Sequence, residues 1–120
     1  MAFRALMVMR MDPAHADTVA DIFAHHDQND GMPRFVGISR RTLFRHHDLY
    51  MHLIEADENV LGRLYEARSR PDFTDVNEQL EDYLERYKPE GWTGLKDSIA
   101  TPFYTWSPDG GVDTKGWWST

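Results

Sequence analysis

The stretch RRTLFRHHDLYMHLIEAD, residues 40–57, decides the fold. β-Branched and aromatic residues crowd both sides of His46-His47, so residues 35–45 and 48–55 predict the two antiparallel strands of a hairpin. Side chains alternate along a strand. Ser39, Arg41, Leu43 and Arg45 therefore share one face of the first strand, and Asp48, Tyr50, His52 and Ile54 share one face of the second. A two-residue or four-residue loop sets Arg41 directly opposite His52, whereas an odd loop or a bulge breaks that pairing. Residues 49–54 are apolar on both alternating faces. Helices on one side of a sheet leave the other to be buried by something else.

Outward from the hairpin, residues 3–11 form a short, mostly apolar run that predicts a first strand. Asp12-Pro13 supplies an N-cap and a proline at the first helical position, and Val19, Ile22, Phe23 and His26 follow at helical spacing up to Asp27. Residues 28–33, with Asp30-Gly31 and Pro33, predict a loop. Beyond the hairpin, Val60, Leu61, Leu64, Tyr65 and Arg68 predict a helix. A capping signal around Pro71 divides it from a second piece carrying Phe73, Val76, Leu80, Tyr83, Leu84 and Tyr87. After Pro89 and Gly91, residues 99–106 predict a last strand, with Pro102 at an edge or bulge. The order strand, helix, strand, strand, helix, strand is the ferredoxin-like βαββαβ arrangement of the α+β class, an antiparallel sheet with two helices on one face. The domain is expected to span residues 1–106, and residues 107–120 a loosely held tail that includes Trp117 and Trp118. A second copy of the chain, sheet against sheet, is the expected cover for the open face, with Ile38, Thr42, Phe44, Leu49, Met51 and Leu53 as shared residues.

A chain of 120 residues holds one core, and 41% hydrophobic with 28% charged residues is ordinary globular composition. Thirteen Lys plus Arg against twenty Asp plus Glu give a net charge of -7, which disfavours nucleic acid as a partner. No apolar run approaches the roughly 18–20 residues that span a bilayer, and no secretory signal opens the chain, so no membrane association and a cytoplasmic location are expected. Absence of cysteine removes disulfides, thiolate metal sites and cysteine nucleophiles.

Polar residues mark the remaining interest. His26 follows Val19 by seven residues and Phe23 by three, so it is expected to face the sheet, with Asp27 beside it at the helix end. If Arg41 and His52 use the same side, four polar groups converge between sheet and helices, a costly burial unless they satisfy one another or a ligand. The other reading is a packed, satisfied His26 and an Arg41 whose head reaches the rim. The two His-His-Asp strings, at His25 and His46, are poor chelates because adjacent histidines diverge on helix and strand alike, and no metal or other cofactor is expected. Glu78, Glu81, Asp82 and Glu85 read as the wet face of the second helix.

The strings FRALMVMRMDP, FAHHD, RRTLFRHHDLYMHLIEAD, RLYEARSRPDF, LKDS and FYTW, spread over residues 3–106, resemble the small aromatic polyketide cyclases of the tetracenomycin cyclase type. The resemblance implies a ferredoxin-like fold in a dimeric α/β-barrel assembly. It also implies a pocket between sheet and helices in which a partly cyclised poly-β-ketone undergoes aldol ring closure and dehydration, a lyase-like reaction without cofactor. Carried over by position, it places catalytic residues at His26, Asp27, Arg41 and His52. Ser39, Leu43, Tyr50 and Phe23, on the same faces, are the expected substrate contacts. In that chemistry Arg41 stabilises an enolate oxygen, and His52 is kept neutral beside that charge and acts as base. Asp27 orients or relays protons with His26. The implied partners are a small-molecule polyketide, a second copy of the chain, and components of the polyketide synthase. A cofactor-free anthrone-type monooxygenase and a non-catalytic polyketide-binding helper of the synthase remain as alternatives.

Overall fold

A computed structural model describes residues 3–28, 31–92 and 95–114. The chain runs β1 (Phe3–Met11), a 3-10 turn (Pro13–His15), α1 (Ala16–Asp27), α2 (Gly31–Val36), β2 (Ile38–His46) and β3 (Leu49–Ala56). It continues through α3 (Leu61–Ala67), α4 (Pro71–Leu80) and β4 (Leu84–Arg86), a 3-10 turn (Leu95–Ser98), and β5 (Thr105–Ser107) with β6 (Gly111–Asp113). The main sheet has the order β2-β3-β1-β4 and all of its pairs are antiparallel. This is the expected ferredoxin-like α+β fold.

Residues 28–33 are not a plain loop. Gly31 to Val36 form a helical turn that buries Met32 and Val36, four residues apart on one side. Pro33 fits there because its missing N–H lies in the first turn, where no intrahelical acceptor exists. Gly37 closes the turn with φ +92, a left-handed conformation open to glycine, and its N–H reaches Pro33 O at 2.9 Å. The second strand therefore begins at Ile38, not Phe35. Asp30 lies outside the described residues.

The hairpin register also differs from expectation. The turn is His47-Asp48, displaced by one residue, with His47 at φ 54; His46 pairs with Leu49, Leu43 with His52 and Arg41 with Ile54. Asp48 anchors this turn: its carboxylate binds Arg10 at 2.8 Å and its carbonyl accepts from Met11 N at 2.9 Å. The register shift is even, so Arg41 and His52 keep a common face but meet diagonally instead of head on. A bulge between Ile38 and Arg40 pairs Ile38 with Ala56 and turns Ile38 to the helix side of the sheet, so Ile38 is not part of the open face.

The fourth strand of the sheet is Leu84–Arg86, a segment expected to be helical, and it takes the edge of β1 at Met9 to Met11. Its helix-like spacing is met otherwise: Leu80 ends α4, and Tyr83 and Leu84 pack on the same core cluster across a short turn. Residues 99–106 make no continuous strand. Ile99 makes one bridge with Met7, and Pro102 offers no N–H to extend it. Thr105 to Ser107 instead pair with Gly111 to Asp113, so part of the expected tail is a hairpin. Trp117 and Trp118 lie outside the described residues.

Two apolar clusters cover the helix side of the sheet. One gathers Phe3, Ala5, Met7, Met32, Val36, Ile54, Val60 and Leu64; the other gathers Met11, Val19, Phe23 and Tyr50. The opposite side of the sheet carries rows Leu6-Leu53-Thr42 and Val8-Met51-Phe44, bounded by the ion pairs Arg4–Glu55 and Arg10–Asp48. Phe44 there is 46% exposed.

Candidate active site

A cavity of about 780 Å³, its open mouth included, lies at the seam between the two clusters. Sheet residues Met7, Met9, Ile38, Arg41, Tyr50, His52 and Ile54 form its floor. Phe23, Met32, Leu64, Phe73, Val76, Asn77, Leu80 and Glu81 form the walls, and Leu84 of β4 lies at the edge of the floor.

Arg41 is the centre of a polar cluster in this floor. Its Nε donates to Asp27 Oδ2 at 3.1 Å and its Nη2 to Asp27 Oδ1 at 3.0 Å, a bidentate pair that joins β2 to the end of α1. Nη1 lies 3.0 Å from His52 Nε2. A guanidinium only donates, so Nε2 accepts and the imidazole proton sits on Nδ1, which faces Tyr50 Oη at 3.4 Å. Phe23, one helical turn before Asp27, lies under the guanidinium at 4.8 Å and edge-on to His52 at 5.3 Å. The Arg41 side chain is 9% exposed and that of Asp27 37%, so the cation is enclosed while its counter-ion keeps contact with water. Three of the five guanidinium N–H groups are engaged, leaving two without a protein acceptor among the described residues.

Burial, and after it the charge of Arg41, push His52 down from 6.5 to about 3, so the ring is neutral at any physiological pH. Burial also raises the Tyr50 hydroxyl far above its ordinary value, with Arg41 opposing to a lesser degree, and the phenol stays protonated. The His52 shift couples to stability. Between pH 6.5 and about 3 the unfolded chain holds a proton that the folded chain does not, so this contribution is complete above pH 6.5 and is lost as pH falls. Denaturant titration is expected to show about 2 kcal/mol less stability at pH 5 than at pH 7 from this residue, and His52→Gln to flatten that difference. An equal slope in the variant would assign the effect elsewhere.

The structure thus brings Asp27, Arg41, His52, Tyr50 and Phe23 together. It does not bring His26 to them. The inward stripe of α1 runs Val19, Phe23, Asp27, and His26 turns to a separate cleft with Ile22, His25, Gly31, Asp72, Asp75 and Gln79, where its Nε2 is buried without a hydrogen-bond partner among the described residues. Ser39 is displaced by the bulge, lies exposed and donates to Glu55 O at 3.0 Å; Ile38 takes the position on the cavity floor. Leu43 packs on the second core cluster and does not line the cavity. Asn77 and Glu81 line it and were missed, although each follows an apolar residue of the α4 stripe, Val76 and Leu80, and so sits at the stripe's edge. Among the described residues no group of three or more His, Asp or Glu is placed to hold a metal ion, and no helix is long and apolar enough to cross a membrane.

The site is thus a sheet-floored apolar cavity with one enclosed, tethered cation. The chain belongs to the polyketide synthesis cyclase family, whose model matches residues 3–107. It is 56% identical over 110 residues to tetracenomycin F2 cyclase of Streptomyces glaucescens, covering 91% of this chain and 99% of that one. A polyketide synthase protein, CurG, of Streptomyces cyaneus is 34% identical over 105 residues, covering 88% and 97%. The solved structure of the Streptomyces glaucescens cyclase superposes with a TM-score of 0.81 at 55% identity, over 88% of this chain and 97% of that chain.

Proposed function

We propose that this aromatic polyketide cyclase closes a ring of a partly cyclised poly-β-ketone by aldol addition and dehydration, without metal or organic cofactor, in the domain formed by residues 1–106. The observation that carries the proposal is Arg41, enclosed in the cavity floor, fixed by Asp27 and His52, and holding two N–H groups in reserve. A methylene between two carbonyls loses its proton to His52 Nε2, whose lone pair is freed as Arg41 Nη1–H turns from it to the enolate oxygen, which also takes the two N–H groups in reserve. A ring with a pKa of about 3 is a weak base in the free protein. The forming enolate offsets the Arg41 charge that helps depress it, so basicity rises as the proton moves. The enolate carbon then attacks a ketone carbon, the π pair moves to oxygen, and the imidazolium returns its proton to that alkoxide. Loss of water with a ring hydrogen completes the aromatic ring. Tyr50, accepting from His52 Nδ1–H, keeps its own proton for a substrate oxygen. Asp27 acts as a positioning residue through Arg41. His26, in its separate cleft, has no part in this scheme.

The apolar outer face of the sheet supports a homodimer built sheet against sheet. We place the enzyme in the cytoplasm, in contact with the synthase components that deliver its substrate. The test is incubation of purified protein with the poly-β-ketone in the presence of chelator and in the absence of dioxygen. A single ring pattern at full rate is expected, and His52→Gln should lower turnover by roughly 10²-fold with little change in folding. A requirement for dioxygen would favour a monooxygenase. His52→Gln with full rate but mixed ring patterns would make the site a template and not a proton carrier.

A further inference from the structure

The polar groups of the cavity stand on two walls only. Arg41, Tyr50 and His52 rise from the sheet; Asn77 and Glu81 come from α4 and its C-cap, and every other lining side chain is apolar. Asn77 and Glu81 are one helical turn apart, with Cβ atoms about 5–6 Å from each other. Both are exposed, and neither side chain has a hydrogen-bond partner among the described residues. They differ in this from Gln79, which bonds to Asp75 on the neighbouring side of the helix. An unpartnered carboxylate and amide at the rim of an apolar cavity are hydrated in the free protein and lose that water when a ligand fills the mouth.

We propose that Asn77 and Glu81 are specificity-determining residues that read hydroxyl groups on the side of the substrate that faces α4. The assignment rests on the cyclase reading above. A carboxylate only accepts, so Glu81 favours an enol or phenol O–H over a ketone or an ether on that side. The amide of Asn77 donates and accepts, and so pairs with either oxygen of a hydroxyl and carbonyl set side by side. The ligand that satisfies both walls is flat and apolar in its middle, with carbonyl oxygen toward the sheet and hydroxyl toward α4. A mouth that merely excluded water would need no such pair. A site that hydrogen-bonds a hydroxyl discriminates against the analogue lacking it, because its own polar groups are left unpaired.

Equilibrium titration of the full chain with 1,8-dihydroxynaphthalene and with its dimethyl ether tests this without requiring turnover. The wild-type protein is expected to prefer the dihydroxy compound by roughly 10-fold, about two hydrogen bonds at a solvated rim. Glu81→Gln should reduce the preference in part. The double variant Asn77→Ala, Glu81→Ala should bring it within about 2-fold, by weaker binding of the dihydroxy compound and tighter binding of the ether, which no longer leaves two polar groups unpaired. Equal preference in wild type and double variant overturns the assignment, as does a failure of the wild type to bind either compound. A wild-type protein that lacks cyclase turnover but shows the preference, lost in the double variant, sinks the cyclase reading and leaves this one standing.

Discussion

Arg41→Ala is expected to lower kcat/KM by roughly 10²–10³, or about 2.7–4 kcal/mol of transition-state stabilisation, the usual loss when an enclosed oxyanion donor is removed. The fold should survive, because the carboxylate left behind on Asp27 is 37% exposed and can be hydrated. Loss of the cation also removes one cause of the low His52 pKa, yet burial is the larger cause, so the histidine stays below its ordinary value and does not become a strong base. Arg41→Lys should restore only part of the rate. A lysine supplies the charge but cannot bridge Asp27 bidentately while facing His52 and the substrate. Steady-state kinetics with product analysis decide the matter: an Arg41→Ala enzyme within tenfold of wild type, giving the same ring pattern, would remove Arg41 from the chemistry.

Met51→Asp is expected to dissociate the protein into single chains or to prevent its folding. Met51 is the centre of the row Val8-Met51-Phe44 on the outer face of the sheet, with Leu53 beside it in the next row. In a sheet-to-sheet dimer an aspartate there is buried twice by symmetry, at several kcal/mol each, which weakens association on the order of thousandfold or more. Leu53→Asp should do the same. Sedimentation of wild type and variants at micromolar concentration is the measurement. A wild-type protein that sediments as a single chain, or a Met51→Asp protein that remains a folded dimer, would overturn the sheet-to-sheet assembly.

Much of this architecture was legible because alternation along a strand is a strong constraint. One face of residues 49–56 had to be the face of Tyr50, His52, Ile54 and Ala56, and an even loop had to put Arg41 on it. The turn itself was less legible. Nothing in RHHDL says that His47 and not His46 takes the left-handed conformation, because the choice is made by Asp48 reaching Arg10 in another strand. The bulge that exchanges Ser39 for Ile38 has no local signature either. The segment after Leu80 failed for a different reason: three residues are too few for a period of two to show against a period of 3.6, and tertiary pairing with β1 chose the strand. His26 was misplaced by a fraction of a turn. The i+3 and i+4 positions after Phe23 lie on either side of it, and the structure sends Asp27 toward Arg41 and His26 toward α4.

The seam between the two apolar clusters has a mechanical meaning as well. Where the halves of a core are parted by a cavity open to solvent, each packs within itself, and hydrostatic pressure drives water further between them. A bound polyketide displaces that solvent with matter that touches both halves at once. Occupancy would then do for this protein what a filled core does for others: it would make the two clusters compress as one body, so that the resistance of the fold to pressure becomes a property of the complex and not of the chain alone.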